Sequence, residues 1–119
     1  MEDKPRNSTD TTRWFVQAGL GMLLIVLLGI HLIANHWVAP QGLLSYEDVI
    51  RYYDVLGIAL MEILFLAVVT AHCLLGLHSI LLDLNPPSKL LAAMTWSLII
   101  LGIAVVIYGT RLTLTIADM

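Results

Sequence analysis

The sequence predicts an all-α fold, a membrane domain of three spanning helices. Two global quantities and one local pattern predict it. Hydrophobic residues make up 59% of the 119-residue chain and charged residues only 13%, whereas a soluble domain usually carries about a quarter charged residues. A chain this short leaves much of its surface outside any core, so the apolar surplus cannot be hidden from water. A disordered chain has the opposite composition. The local pattern is three apolar runs, each at least about 20 residues, the helical length that crosses a hydrocarbon core of ~30 Å.

Residues 1–13 are polar and mixed in charge, and read as a mobile tail. Residues 14–119 then form a single transmembrane domain. The first helix is expected over about 14–38, stopped by Ala39-Pro40-Gln41-Gly42. The stretch from Ser45 to Asp54 reads as a polar loop or a short amphipathic helix, with Tyr46, Tyr52 and Tyr53 suited to a headgroup belt. The second helix is expected over about 55–82. Asp83-Leu84-Asn85-Pro86-Pro87 ends it, because proline cannot continue a helix and restrains its predecessor. The third helix is expected over about 88–110. The runs lack two-residue alternation and are too long for barrel strands.

Lys4, Arg6, Arg13 and Lys89 fall on one side of this up-down-up topology, and Arg51 and Arg111 on the other. The excess places the N-terminus inside. The first apolar run is too long for a cleaved signal, whose apolar region spans about 7–15 residues. No Arg-rich, acid-poor transit peptide is visible, which points to a prokaryotic plasma membrane.

Several function classes drop out. Cys73 is the single cysteine, so an internal disulfide, a zinc-finger-type site and a C-x-x-C-H attachment are excluded. Net charge is −3 with six Lys and Arg, which leaves no nucleic-acid footprint. No glycine-rich phosphate loop or nucleophile motif is present.

The chemistry lies in polar residues within the apolar runs, because ionisable groups there are costly and usually functional. They are His31, His36, His72, His78 and Glu62, with Asp83 closing the second run. From helix rise, His31 sits about 7 Å on one side of the bilayer midplane and His72 about 5 Å on the other. Their separation of about 12 Å is too large for one iron, whose axial nitrogens lie about 4 Å apart at bond lengths of ~2 Å. If both bind iron, they serve two haems, each completed by a partner subunit. Phe65, His72, Gly76, Ser79 and Asp83 share one face of the second helix, and Gln17, Leu24, His31, Asn35 and Val38 one face of the first. Gly76, one turn from His72, would leave room for a flat ring system.

The residues alone leave alternatives open. His31 and His72 read equally as iron ligands or as residues bonding a neighbouring helix. His36 reads as interfacial beside Trp37, and His78 as a propionate or headgroup contact. Glu62 is either a protonated core carboxyl or part of a proton or quinone path. Asp83 either caps the turn ahead of Pro86 or serves a quinone site. Gly19, Gly21, Gly29, Gly57 and Gly102 read as allowing close helix contact.

The segment His72-Cys-Leu-Leu-Gly76-Leu-His78-Ser-Ile-Leu-Leu-Asp83 resembles the second membrane helix of the hydrophobic anchor subunits of succinate dehydrogenase and fumarate reductase, respiratory complex II. Gly29-Ile30-His31-Leu32 resembles the first-helix segment of two-haem members. The resemblance runs from about residue 14 to 108. It implies haem b ligation by His72, with Gly76, His78 and Ser79 in the haem pocket or at a propionate. It implies ligation of a second haem by His31. Arg13, Asp83 and Glu62 become candidates for a quinone or proton path, with menaquinone as one quinone. It implies a second membrane anchor subunit, an iron–sulfur subunit and a flavoprotein subunit as partners, alongside lipid and quinone. Succinate chemistry would then occur in another chain. His78 stands where many relatives carry Arg, and Leu84 where many carry Tyr, so the quinone site departs from the single-haem pattern. The alternatives are a cytochrome b-type subunit of another membrane dehydrogenase or hydrogenase, and a non-redox structural membrane subunit.

Overall fold

The computed structural model describes residues 8–38 and 45–119. Four helices follow in order: α1 (Ser8–Val38), α2 (Tyr46–Tyr53), α3 (Leu56–Asp83) and α4 (Ser88–Ala117). Three of them, over Thr9–Trp37, Leu56–Asp83 and Ser88–Ala117, are long and apolar enough to cross a bilayer. The expected all-α, three-span architecture is therefore observed.

The boundaries differ from expectation at two ends. α1 begins at Ser8, so residues 8–13 extend the helix instead of forming a tail; residues 1–7 and the Pro40 stop lie outside the described residues. Once a span has nucleated a helix, adding residues to it is inexpensive, and Asp10 in the first turn suits the positive helix end. α4 likewise runs on to Ala117, past the apolar run, because its last turns pack against α2.

α2 is the amphipathic helix that the polar segment allowed. A capping box starts it: the Asp48 backbone N–H donates to Ser45 Oγ at 3.2 Å, and the Ser45 N–H donates to Asp48 Oδ2 at 3.0 Å. The Ser45 N–H and the Ser45 hydroxyl, which also donates to Asp48 Oδ2 at 2.8 Å, hold the Asp48 carboxyl below its ordinary range. Glu47 and Asp48 in the first turn and Arg51 in the last complement the helix dipole. Between α3 and α4 the chain reverses at Asn85, whose φ of 48° lies in the left-handed region that asparagine tolerates. Pro86 and Pro87 follow, and α4 begins immediately after them.

α3 is the central helix. It packs against α1 on one side and α4 on the other, while among the described residues α1 and α4 do not touch. The molecule measures 59 by 25 by 21 Å along its principal axes, and α2 lies over the end where α1 and α4 finish. On the α3–α4 side, a side chain at Gly102 or Gly109 would overlap Leu74 or Leu66, so these glycines permit the close approach. Gly19, Gly29 and Gly57 have open space where a Cβ would stand and permit no contact within the chain. The hydrophobic core is small: Leu27, Tyr52, Ala59, Val68 and Leu81 are its buried members. The remaining apolar surface faces lipid or other chains.

Candidate functional site

The α1–α3 seam carries the chemistry, and its antiparallel register sets three levels. His31 of α1 stands opposite Glu62 of α3, Gly21 opposite His72, and Gln17 opposite Gly76. Ten residues of helix separate the His31 level from the His72 level, about 15 Å of helix rise. The two imidazoles lie on one seam at separate levels, further apart in helix rise than the roughly 12 Å expected from the sequence.

At the α2 end, His31 Nδ1 lies 2.6 Å from Glu62 Oε1. The Tyr52 hydroxyl, reaching down from α2, donates to the same oxygen at 2.6 Å. Asn35, one turn on from His31, donates through Nδ2 to the His31 carbonyl at 2.8 Å and to the ring Nε2 at 3.1 Å. One proton arrangement satisfies every contact: Nδ1–H donates to Glu62, and Nε2 accepts from Asn35. Phe65 covers the ring, with centroids 5.3 Å apart. Glu62 is 9% exposed and His31 31%, so the carboxylate is the buried member. Burial raises the Tyr52 phenol well above its usual range, and the bond to Glu62 adds to the shift. Burial and the Glu62 charge raise Tyr53 as well. Tyr52 is therefore no headgroup-belt residue. It is 3% exposed, because α2 folds back over the seam and offers the buried carboxylate a donor.

The middle level contrasts with this. The His72 ring rests on Gly21, where an added Cβ would lie 3.2 Å from Cε1. Its Nδ1 is buried without a hydrogen-bond partner. Gln17 Nε2 donates to the His72 carbonyl at 3.1 Å and crosses the space left by Gly76, where a Cβ would approach it to 3.0 Å. Gln17 Oε1 is also buried and unpartnered. Gly76 thus admits a side chain of α1 beneath His72.

At the other end a cleft of about 860 Å³ opens between α1 and α3. Arg13, Gln17, His78, Ser79 and Asp83 line it, together with Asp10. Four of the residues expected at a propionate or quinone site therefore meet there. Asp83 makes no capping bond among the described residues; the turn closes instead through backbone bonds from Leu84 and Asn85 to Ile80 and Leu82. Glu62 belongs to the opposite end of the seam, apart from Arg13 and Asp83. Cys73 is exposed and points elsewhere.

Among the described residues, no three His, Cys, Asp or Glu side chains converge as a metal site within this chain would need. The donor set suits haem iron in a different way, with one imidazole from this chain at each level. An iron-bound histidine normally gives its other ring N–H to a carboxylate, carbonyl or water. His31 has that partner in Glu62, and Asn35 would have to release Nε2. His72 has an orphaned Nδ1 instead, and no hydrogen bond engages its Nε2 among the described residues.

Expectation from the sequence missed Asn35, Gln17, Gly21 and Tyr52 as partners of the histidines. Gln17 and Asn35 stood on the correct face of α1, which was the available signal. Tyr52 carried none, because its contact depends on how α2 folds back.

These features define a multi-pass helical membrane protein with polar groups buried along one interhelical seam. The chain is similar to the succinate dehydrogenase hydrophobic membrane anchor subunit of Thermoplasma acidophilum, 28% identical over 105 residues that cover 88% of this chain and 85% of that one. The resemblance read from the His72 and His31 segments is thereby supported over nearly the whole chain. No family model matches the chain, and no solved structure matches it.

Proposed function

We propose that the chain is a membrane anchor subunit of a succinate:quinone oxidoreductase in a prokaryotic plasma membrane, its N-terminus on the cytoplasmic side. It performs no dicarboxylate chemistry itself. Its largely exposed apolar helices pack with a second anchor subunit, and the pair carries the iron–sulfur and flavoprotein subunits. His72 and His31 are the residues of this chain that would each hold a b haem through a ring nitrogen, with the partner anchor completing each site. A b haem, when bound, stores and passes single electrons between the iron–sulfur centres and quinone. Gly21 beds the His72 ring and Gln17 holds its backbone, while Glu62 and Asn35 hold His31. In the cleft, Arg13, His78 and Ser79 offer donors to a quinone head group, menaquinone among them, or to a haem propionate, and Asp83 offers an acceptor.

The observation that carries this reading is the placement of two imidazoles on one seam, at levels separated by about 15 Å of helix rise, in a chain similar to a succinate dehydrogenase anchor. The test is a reduced-minus-oxidised spectrum with a haem count on the purified complex, wild type and the variants His72→Ala and His31→Ala. Two b haems, with a different one lost in each variant, are expected. A wild-type complex without haem would overturn the ligand roles.

A second reading has its own support. His31 already has partners at both nitrogens, as a purely structural polar cluster would, joining α1 and α2 to α3. Loss of a haem only in His72→Ala would favour that role for His31.

A further inference from the structure

We infer that Glu62, oriented by Tyr52, is the positioning residue that sets the electron-donating strength of His31 toward iron. This rests on the proposed haem-ligand role of His31. Neither residue belongs to the segments that carried the family resemblance.

Three observations lead to it. Glu62 Oε1 and His31 Nδ1 are 2.6 Å apart with the carboxylate almost fully buried. A carboxylate receiving the Nδ1 proton of a ligating histidine fixes the tautomer and ring orientation and raises ligand basicity. Second, Tyr52 donates to that same oxygen at 2.6 Å. The two donors share one acceptor, so each bond limits the other. Third, Asn35 keeps a separate bond to the His31 carbonyl. Its amide stays anchored when Nε2 is released to a metal. His72 has no comparable carboxylate, and its Nδ1 lacks a partner. The effect is therefore confined to the His31 level.

The signs of the expected changes follow from the shared oxygen. Glu62→Gln keeps an acceptor but removes the charge, which weakens His31 as a donor and moves the midpoint potential of its haem upward. Tyr52→Phe removes the competing donor, strengthens the bond from His31 to the carboxylate and moves the same potential downward. A loosened structure would move both variants in one direction.

The experiment is a redox titration of haem absorbance on the purified complex, with low-temperature electron paramagnetic resonance of the ferric haems. Wild type, Glu62→Gln, Tyr52→Phe and His31→Ala are compared. Expected are an upward shift in Glu62→Gln and a downward shift in Tyr52→Phe. Both should appear only in the haem that His31→Ala loses. Unchanged potentials in both variants, shifts of one sign, or equal shifts of two haems would overturn the inference while leaving the ligand roles standing. If Glu62→Gln does not assemble, an upward or absent shift in Tyr52→Phe overturns it. Absence of haem from the wild type, or retention of every haem in His31→Ala, overturns the inference together with the ligand role it rests on.

Discussion

The two imidazole levels of the α1–α3 seam are built in opposite ways. His31 is held by side chains, with a carboxylate at Nδ1 and an amide at Nε2. His72 is held by shape and by its own backbone, resting on Gly21 while Gln17 binds its carbonyl. The first level spends its polar capacity inside the chain. The second leaves two buried polar atoms, His72 Nδ1 and Gln17 Oε1, without partners. An unpaired buried polar group costs about 1–3 kcal/mol, so these two atoms make the middle level the less self-satisfied of the two. Within one seam, then, one histidine is fixed by side-chain hydrogen bonds and the other by packing on glycine and a bond to its backbone.

Substitutions can break this contrast. The largest effect on the site is expected at Gly21. Gly21→Val places branched carbons against the His72 ring, where a single Cβ is already tight. Overpacking of this kind costs about 1–3 kcal/mol; on the proposed ligand roles, a haem held by His72 should be lost while one held by His31 persists. A haem count together with thermal unfolding of the complex checks it; loss of both haems would show that the levels are not independent.

Tyr52→Phe comes next. It removes a hydrogen bond to a buried carboxylate, a loss of about 1.5–3 kcal/mol. The pH dependence has a definite sign. The folded-state pKa of Tyr52 is raised, so its contribution is complete below the unfolded phenol range and is lost as pH rises toward the folded value. Wild type should therefore lose stability in alkali, and Tyr52→Phe should lose less. Amide exchange across Tyr46–Tyr53 as a function of pH measures it.

The smallest effect is expected for Gln17→Leu. It deletes one bond to the His72 carbonyl, worth about 0.5–1.5 kcal/mol, and also removes the unpartnered Oε1. The two changes oppose each other, so the net shift in unfolding should stay under about 1 kcal/mol. A larger destabilisation would mean that Oε1 has a partner in the assembled complex.

The composition of the chain made the number of spans legible, because bilayer thickness converts apolar run length directly into helices. The break at Asn85-Pro86-Pro87 was equally legible, since proline acts through local sterics. The start of α1 at Ser8 was not, because polar residues extend an existing helix at little cost and leave no hydropathy signal. The faces of the helices were legible from the helical repeat, which put Gln17 and Asn35 beside His31's side of α1. The partner across the seam was not, because the repeat fixes a direction around one helix and says nothing of its register against another.

By itself, the sequence determined the all-α class, the three spans and the separate levels of His31 and His72 along them. Each follows from length, rise and periodicity within a single helix. Only the tertiary structure decided that Glu62 belongs to His31, that Tyr52 is buried beneath α2 and that Gly76 accommodates Gln17. Those outcomes depend on the antiparallel register of α1 against α3 and on the return of α2 over their end. Both are set by small residues such as Gly21 that let backbones approach, and by the need of a buried carboxylate for donors.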